Sequence, residues 1–182
     1  MALRMILHYV FRPGRVRELF AVLKYRKLRE NLFGAGSEIF NDIQIREAAR
    51  LCGIDAGLAE RTINFWMNEA PLKAVRFFRR KKLLEGMQKL QASGKKIIVY
   101  SDYPAQEKLK ALGFSPDYVF WSNDGIMNCM KPDSSGITRA LKVTGLEYAN
   151  ILYVGDRFDR DEICAREAGF DYMDVKEFMK IL

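Results

Sequence analysis

At 182 residues the chain has room for one sizeable core, or for a core with a small accessory domain. Its 49% hydrophobic and 12% aromatic content argues against disorder. The formal charge of +7, from 30 Lys and Arg against 23 Asp and Glu, makes anionic metabolites, acidic membranes and nucleic acid the partners to weigh.

The first eleven residues, Met1 to Phe11, are apolar apart from Arg4 and His8. The run is too short to span a bilayer, and Arg-Pro-Gly-Arg follows it rather than a small-residue cleavage site. Folded protein is expected there, with no membrane partner. Arg4–Phe11 suits either an opening helix or a strand, and the helix is preferred. His8, the only histidine, reads as packed rather than catalytic. Pro13 and Gly14 then open a helix whose apolar face is expected to be Val16, Leu19, Phe20, Leu23 and Leu28. Gly34, Ala35 and Gly36 break the pattern, and Ser37 suits the N-cap of a helix carrying Phe40, Ile43, Ile45 and Ala48, closed by Gly53. A third helix starts near Ala56, with Leu58, Ile63, Phe65 and Trp66. A fourth starts at Pro71, with Leu72, Val75 and Phe78. Phe65, Trp66, Phe77 and Phe78 read as core rather than pocket. Arg12, Arg15, Arg17, Lys24, Arg26, Lys27 and Arg29 form one basic cluster, and Arg76, Arg79, Arg80, Lys81 and Lys82 a second. Both read as solvated helix faces, and no nucleic-acid module accompanies them. A further helix is expected over 82–91, closed by Gly94.

After Gly94 the period changes. Lys96–Ser101 is an apolar run of strand length, Pro104–Leu112 a helix ended by Gly113, and Tyr118–Trp121 a second strand. Ser134 or Ser135 caps a helix through Leu141. Ile151–Val154 is a third strand, Asp161–Ala168 a helix stopped by Gly169, and Tyr172–Val175 a fourth strand before a terminal helix. Alternating strands and helices predict an α/β fold with a parallel sheet, in which ligands sit at the carboxyl ends of the strands. Cys52, Cys129 and Cys164 are widely spaced, with no C-x-x-C pair; a reducing, cytoplasmic setting fits them best.

Three strand ends carry candidate chemistry. Ser101 puts a hydroxyl after the first strand, suited to a phosphate oxygen or to capping the next helix. Lys131, held by Pro132, offers an ammonium for a phosphoryl group, or is an ordinary surface lysine. The loop Gly155-Asp-Arg-Phe-Asp-Arg-Asp161 places three carboxylates after a buried strand, the oxygen donors a hard cation such as Mg2+ requires. The bland alternative is that Asp159 or Asp161 caps a helix.

Taken in this order, Ile97–Ser101, Lys131-Pro132 and Val154-Gly155-Asp156 through Asp161, with Ile163, Ala165 and Ala168-Gly169 behind, resemble the second, third and fourth motifs of the haloacid dehalogenase superfamily of phosphohydrolases. The resemblance implies a Rossmann-like core over 82–182 with a helical cap over 1–81. It implies Mg2+-dependent hydrolysis of a small phosphorylated metabolite. It also implies that Ser101 and Lys131 bind phosphate, with Lys131 catalytic, and that Asp156 and Asp161 serve the metal, Asp161 as ligand or support. The family's first motif, D-x-D-x-T on the first strand, has no counterpart: the only D-x-D is Asp159-Arg160-Asp161. An internal start within a longer protein is the expected reason, natural degeneration the alternative. The expectation is therefore a core without its first strand, impaired or inactive alone. The competing reading is a non-catalytic phosphate-, metal- or protein-binding module. The oligomeric state stays open.

Overall fold

The computed structural model describes residues 2–31, 37–147 and 150–182. The chain divides into two compact units, one within Met1–Leu32 and Ile39–Phe78, the other within Phe33–Glu38 and Arg79–Leu182. The break expected at Gly34–Gly36 and the capping role of the Ser37 side chain lie outside the described residues.

The first unit is helical: α1 (Ala2–Val10), α2 (Val16–Asn31), α3 (Ser37–Cys52), α4 (Ala56–Asn64) and α5 (Leu72–Val75). Arg4–Phe11 is thus helix through Val10, as preferred. Asp55 caps α4 by accepting from Leu58 N at 2.9 Å. The buried face of α2 is not the expected one. Glu18, Ala21, Val22, Tyr25 and Arg29 are buried, whereas Val16, Phe20 and Leu23 are exposed. Polar pairing accounts for the shift. The Arg15 guanidinium donates two bonds to Glu18, of 2.6 and 2.8 Å, and the Thr62 hydroxyl donates a third. Arg29 Nη1 donates to Gln44 Oε1 at 3.3 Å. Charges matched in this way can be buried where a hydrophobic pattern forbids it. Trp66 is core, its Nε1 donating to the Tyr9 hydroxyl at 3.0 Å, and His8 packs edge-on against both rings. Phe65, at 41% exposed, is not core, and neither are Phe77 and Phe78, 87% and 83% exposed beyond the end of α5.

The second unit alternates: α6 (Lys81–Ala92), β1 (Ile98–Ser101), α7 (Gln106–Leu112), β2 (Tyr118–Trp121), α8 (Ser135–Thr144), β3 (Leu152–Gly155), α9 (Ile163–Glu167), β4 (Asp171–Asp174) and α10 (Val175–Ile181). A π-helical turn over Phe158–Glu162 leads into α9. Gly113 and Gly169 end their helices at positive φ, +74° and +77°, where other residues are strained. All four expected strands form, but not as one sheet. Among the described residues β1 pairs in parallel with β2, Ile98 opposite Tyr118 and Ser101 opposite Trp121. β3 pairs in parallel with β4, Leu152 opposite Asp171 and Gly155 opposite Asp174. The two pairs are separate two-stranded sheets. Both rest on one cluster of Phe120, Met127, Ile137, Leu141, Cys164 and Phe170, against which Ile98, Tyr100, Ile151 and Tyr153 all pack. The two sheets therefore share one core.

Candidate active site at the strand ends

Lys131 is the centre of the site. Its Nζ lies 2.7 Å from Asp161 Oδ1, with side-chain exposures of 13% and 7%. It also lies 5.1 Å from the centre of the Tyr100 ring. Its backbone N donates to Asp102 Oδ1 at 3.2 Å. The Lys131-Pro132 peptide is cis. Lys131 is thus an enclosed cation fixed from three sides, not a surface lysine.

Asp161 organises the acidic loop. Its second carboxylate oxygen accepts from Asp156 N and Arg157 N, both at 3.1 Å, and the Tyr153 hydroxyl lies 3.4 Å from the first. Gly155 allows this closeness: a Cβ there would sit 2.7 Å from Asp161 Cγ and Oδ2. Close approach, rather than a tight turn, is the reason for glycine. Asp156 points from the exposed loop beyond β3, and its side chain makes no ion pair among the described residues. Asp159 is also exposed. It pairs with Arg157 at 2.6 Å, and that hydrogen bond holds its carboxyl below the usual range.

Ser101 ends β1. Its Oγ accepts from Tyr103 N at 3.1 Å, which shapes the following loop, while α7 begins later and is not capped by it. Its own hydroxyl hydrogen stays available for donation. One cavity of about 350 Å3 is lined by Lys131, Asp156 and Asp161; Ser101 lies outside that lining, one residue before Asp102.

Asp102 and Arg160 received no role in the sequence reading, yet both are enclosed here. Their side chains are 11% and 10% exposed, 3.7 Å apart. Asp102 ties the end of β1 to Lys131, and Arg160 ties Asp102 to the loop after β3. The one available signal was position: Asp102 directly follows an apolar strand, as Asp156 does. Behind them the buried Cys129 and Cys164 thiols both reach the Asp133 carbonyl.

A family profile described as haloacid dehalogenase-like hydrolase matches residues 16–169. The chain belongs to that family. No curated protein matches it closely. The match spans most of both units, so a hydrolase fold of mixed α/β type with parallel strands is the frame in which the site is read.

The donors fit a magnesium half-site. Mg2+ takes one or two carboxylates and completes its shell with water and phosphate. Asp156 offers an uncommitted carboxylate, while both oxygens of Asp161 are engaged by Lys131 and the loop amides. The described residues contain no cluster of three or more His, Cys, Asp or Glu arranged to hold an ion alone.

Proposed function

We propose that this hydrolase fold is built for Mg2+-dependent hydrolysis of phosphate monoesters on a small metabolite, and that the chain as it stands binds phosphate and metal without efficient turnover. The observation that supports this most is the enclosed Lys131, fixed beside Asp161 and next to the open carboxylate of Asp156 where two parallel strands end.

Each residue has a task in this reading. Lys131 presents a directed positive charge to the phosphate oxygens, and its enclosure keeps water from screening it. Asp161 positions that ammonium and braces the loop. Ser101, already accepting from Tyr103 N, donates its hydrogen to a phosphate oxygen. Asp156 is the metal ligand, with Asp161 in support. Bound Mg2+ would neutralise charge on the phosphate. The helical unit acts as a cap that selects the metabolite, and the cytoplasm is the natural setting. The carboxylates at the site are otherwise committed: Asp102 to the Lys131 amide and Arg160, Asp161 to Lys131. None is free to attack phosphorus while keeping these bonds. That favours a second reading, a phosphate- and metal-binding module with no reaction of its own.

Titration calorimetry with Mg2+ and with inorganic phosphate tests the site. Wild type should bind both, Asp156→Asn should lose the metal, and Lys131→Met should lose phosphate. No heat from either titrant would sink both readings. Turnover of p-nitrophenyl phosphate separates them: a rate that disappears with Asp156→Asn makes the chain an enzyme, and binding without turnover makes it a module.

A further inference from the structure

The helical unit carries a cavity of its own, of about 180 Å3, lined only by residues of that unit. Tyr9 of α1, with Phe65 and Trp66 at the end of α4, gives it aromatic walls. Phe65 and Trp66 open a π-helical turn, Phe65–Glu69, in which Ala70 N donates to Phe65 O at 2.7 Å. Such turns are rare and recur at functional sites. Arg15, Arg61 and Phe65 are exposed, so the cavity opens to the surface.

Its polar lining is one-sided. Glu18 is the lining carboxylate, and both of its oxygens are spent: Arg15 donates to them at 2.6 and 2.8 Å, and the Thr62 hydroxyl adds a bond of 3.2 Å. The same bonds hold the Arg15 guanidinium in place and leave its other N–H groups unspent. The Arg61 guanidinium makes no hydrogen bond or ion pair among the described residues. The Trp66 N–H is committed to the Tyr9 hydroxyl at 3.0 Å, and the hydrogen of that hydroxyl has no acceptor among the described residues. Burial raises the Tyr9 phenol above its ordinary value, so it stays a donor. What remains unspent is therefore mostly donor, with a net positive charge, set beside flat apolar rings.

These features select a ligand. A metal cation is disfavoured by the guanidiniums. A bare inorganic anion leaves the aromatic walls unused, and a neutral ring leaves the guanidiniums unused. Pockets for drug-sized ligands run to about 300–1,000 Å3, and a cavity of about 150 Å3 accepts benzene, so one ring with one small charged group suits this space. A guanidinium fork matches a carboxylate with two parallel bonds. We propose that this cavity binds a small planar aromatic carboxylate, its ring against Phe65 and Trp66 and its carboxylate on Arg61, with Arg15 and the Tyr9 hydroxyl adding donors. The inference does not rest on the phosphate chemistry of the strand ends, and it stands whether or not the helical unit caps them.

The test titrates the intact chain with benzoate, nicotinate and salicylate by calorimetry, with acetate and benzamide as controls that lack the ring or the charge. At least one aromatic acid should bind one-to-one with a dissociation constant at or below about 1 mM, and both controls should bind about tenfold more weakly or worse. The indole N–H resonance of Trp66, told apart from that of Trp121 by Trp121→Phe, should shift on binding while the Trp121 resonance stays. Arg61→Met, a change at an exposed side chain, should keep the fold by circular dichroism and weaken binding by about tenfold or more. Phe65→Ala should weaken it by about threefold. Binding weaker than 1 mM by all three acids, to within the order of magnitude stated, would overturn the proposal. So would acetate or benzamide binding as tightly as the acids, an unchanged affinity in Arg61→Met, or a shift at Trp121 in place of Trp66. Lys131→Met separates the two sites: it should lose phosphate and keep the aromatic acid, and loss of the acid as well would place that ligand at the strand ends and overturn the inference.

Discussion

Lys131 Nζ and Asp161 Oδ1, 30 residues apart in sequence, meet at 2.7 Å with their side chains almost wholly enclosed. Removing one partner of an enclosed pair strands the other charge, at a cost of about 3–5 kcal/mol. Lys131→Met and Asp161→Asn should each lose stability on that scale in urea unfolding. The double variant should lose less than the sum, because the stranded charge is gone from both sides. Additive losses would mean that the pair is not formed in solution.

Gly155 and Asp161 are linked by shape. Gly155→Ala drives a Cβ into the Asp161 carboxylate carbons and oxygens. The expected cost is about 1–3 kcal/mol of overpacking strain, read by the same unfolding experiment. The penalty should shrink in an Asp161→Gly background, which removes the obstructing side chain. An equal penalty in both backgrounds would assign the strain to some other contact.

The sequence made the strand ends legible because short apolar runs flanked by glycine mark buried strands, and every expected strand formed. The acidic loop was singled out for the same reason, since charge directly after such a run has no packing role; Lys131 was singled out by the proline that follows it and by the resemblance. Asp102 and Arg160 were not legible, since no local pattern carries a pairing 58 positions apart. The α2 face failed similarly, as Glu18 and Arg29 enter the core through partners on other helices. Phe77 and Phe78 show the converse: apolar residues without a neighbour to cover them. Which strand lies beside which is also not a property of periodicity. A missing first strand was expected from the resemblance, while the pairing of β1 with β2 and of β3 with β4 as two separate sheets appeared only in the structure.

Thiol reactivity reports on the packing behind the site. Burial pushes the Cys164 thiol up to about 12, and burial raises Cys129 as well. Both should stay protonated and unreactive at pH 8. Ellman's reagent on the native chain should therefore label Cys52 first, as its side chain is the only one of the three not buried. All three should react in urea. Fast native labelling of Cys164 would show that the cluster around α8 and α9 opens readily.

Asp117 supplies an acid-sensitive anchor for the start of β1. Its carboxylate accepts from Ile97 N at 2.9 Å, Gln91 Nε2 at 3.0 Å and Lys96 Nζ at 2.9 Å. The Ile97 backbone bond is the leading cause that holds its carboxyl well below the ordinary value of 3.8, with the Gln91 and Lys96 bonds adding to it. A depressed folded value means that the unfolded chain takes up the proton first. The stabilisation is then complete above pH 3.8 and is lost as pH falls below it through the folded value. Asp117→Asn removes this titration. Thermal unfolding from pH 6 to pH 2 should show the wild-type midpoint falling more steeply below pH 4 than the variant's, with the wild type higher at pH 6. Parallel curves would mean that the three bonds to this carboxylate do not persist in solution, and the β1–β2 register would then have to be held by the strand ladder alone.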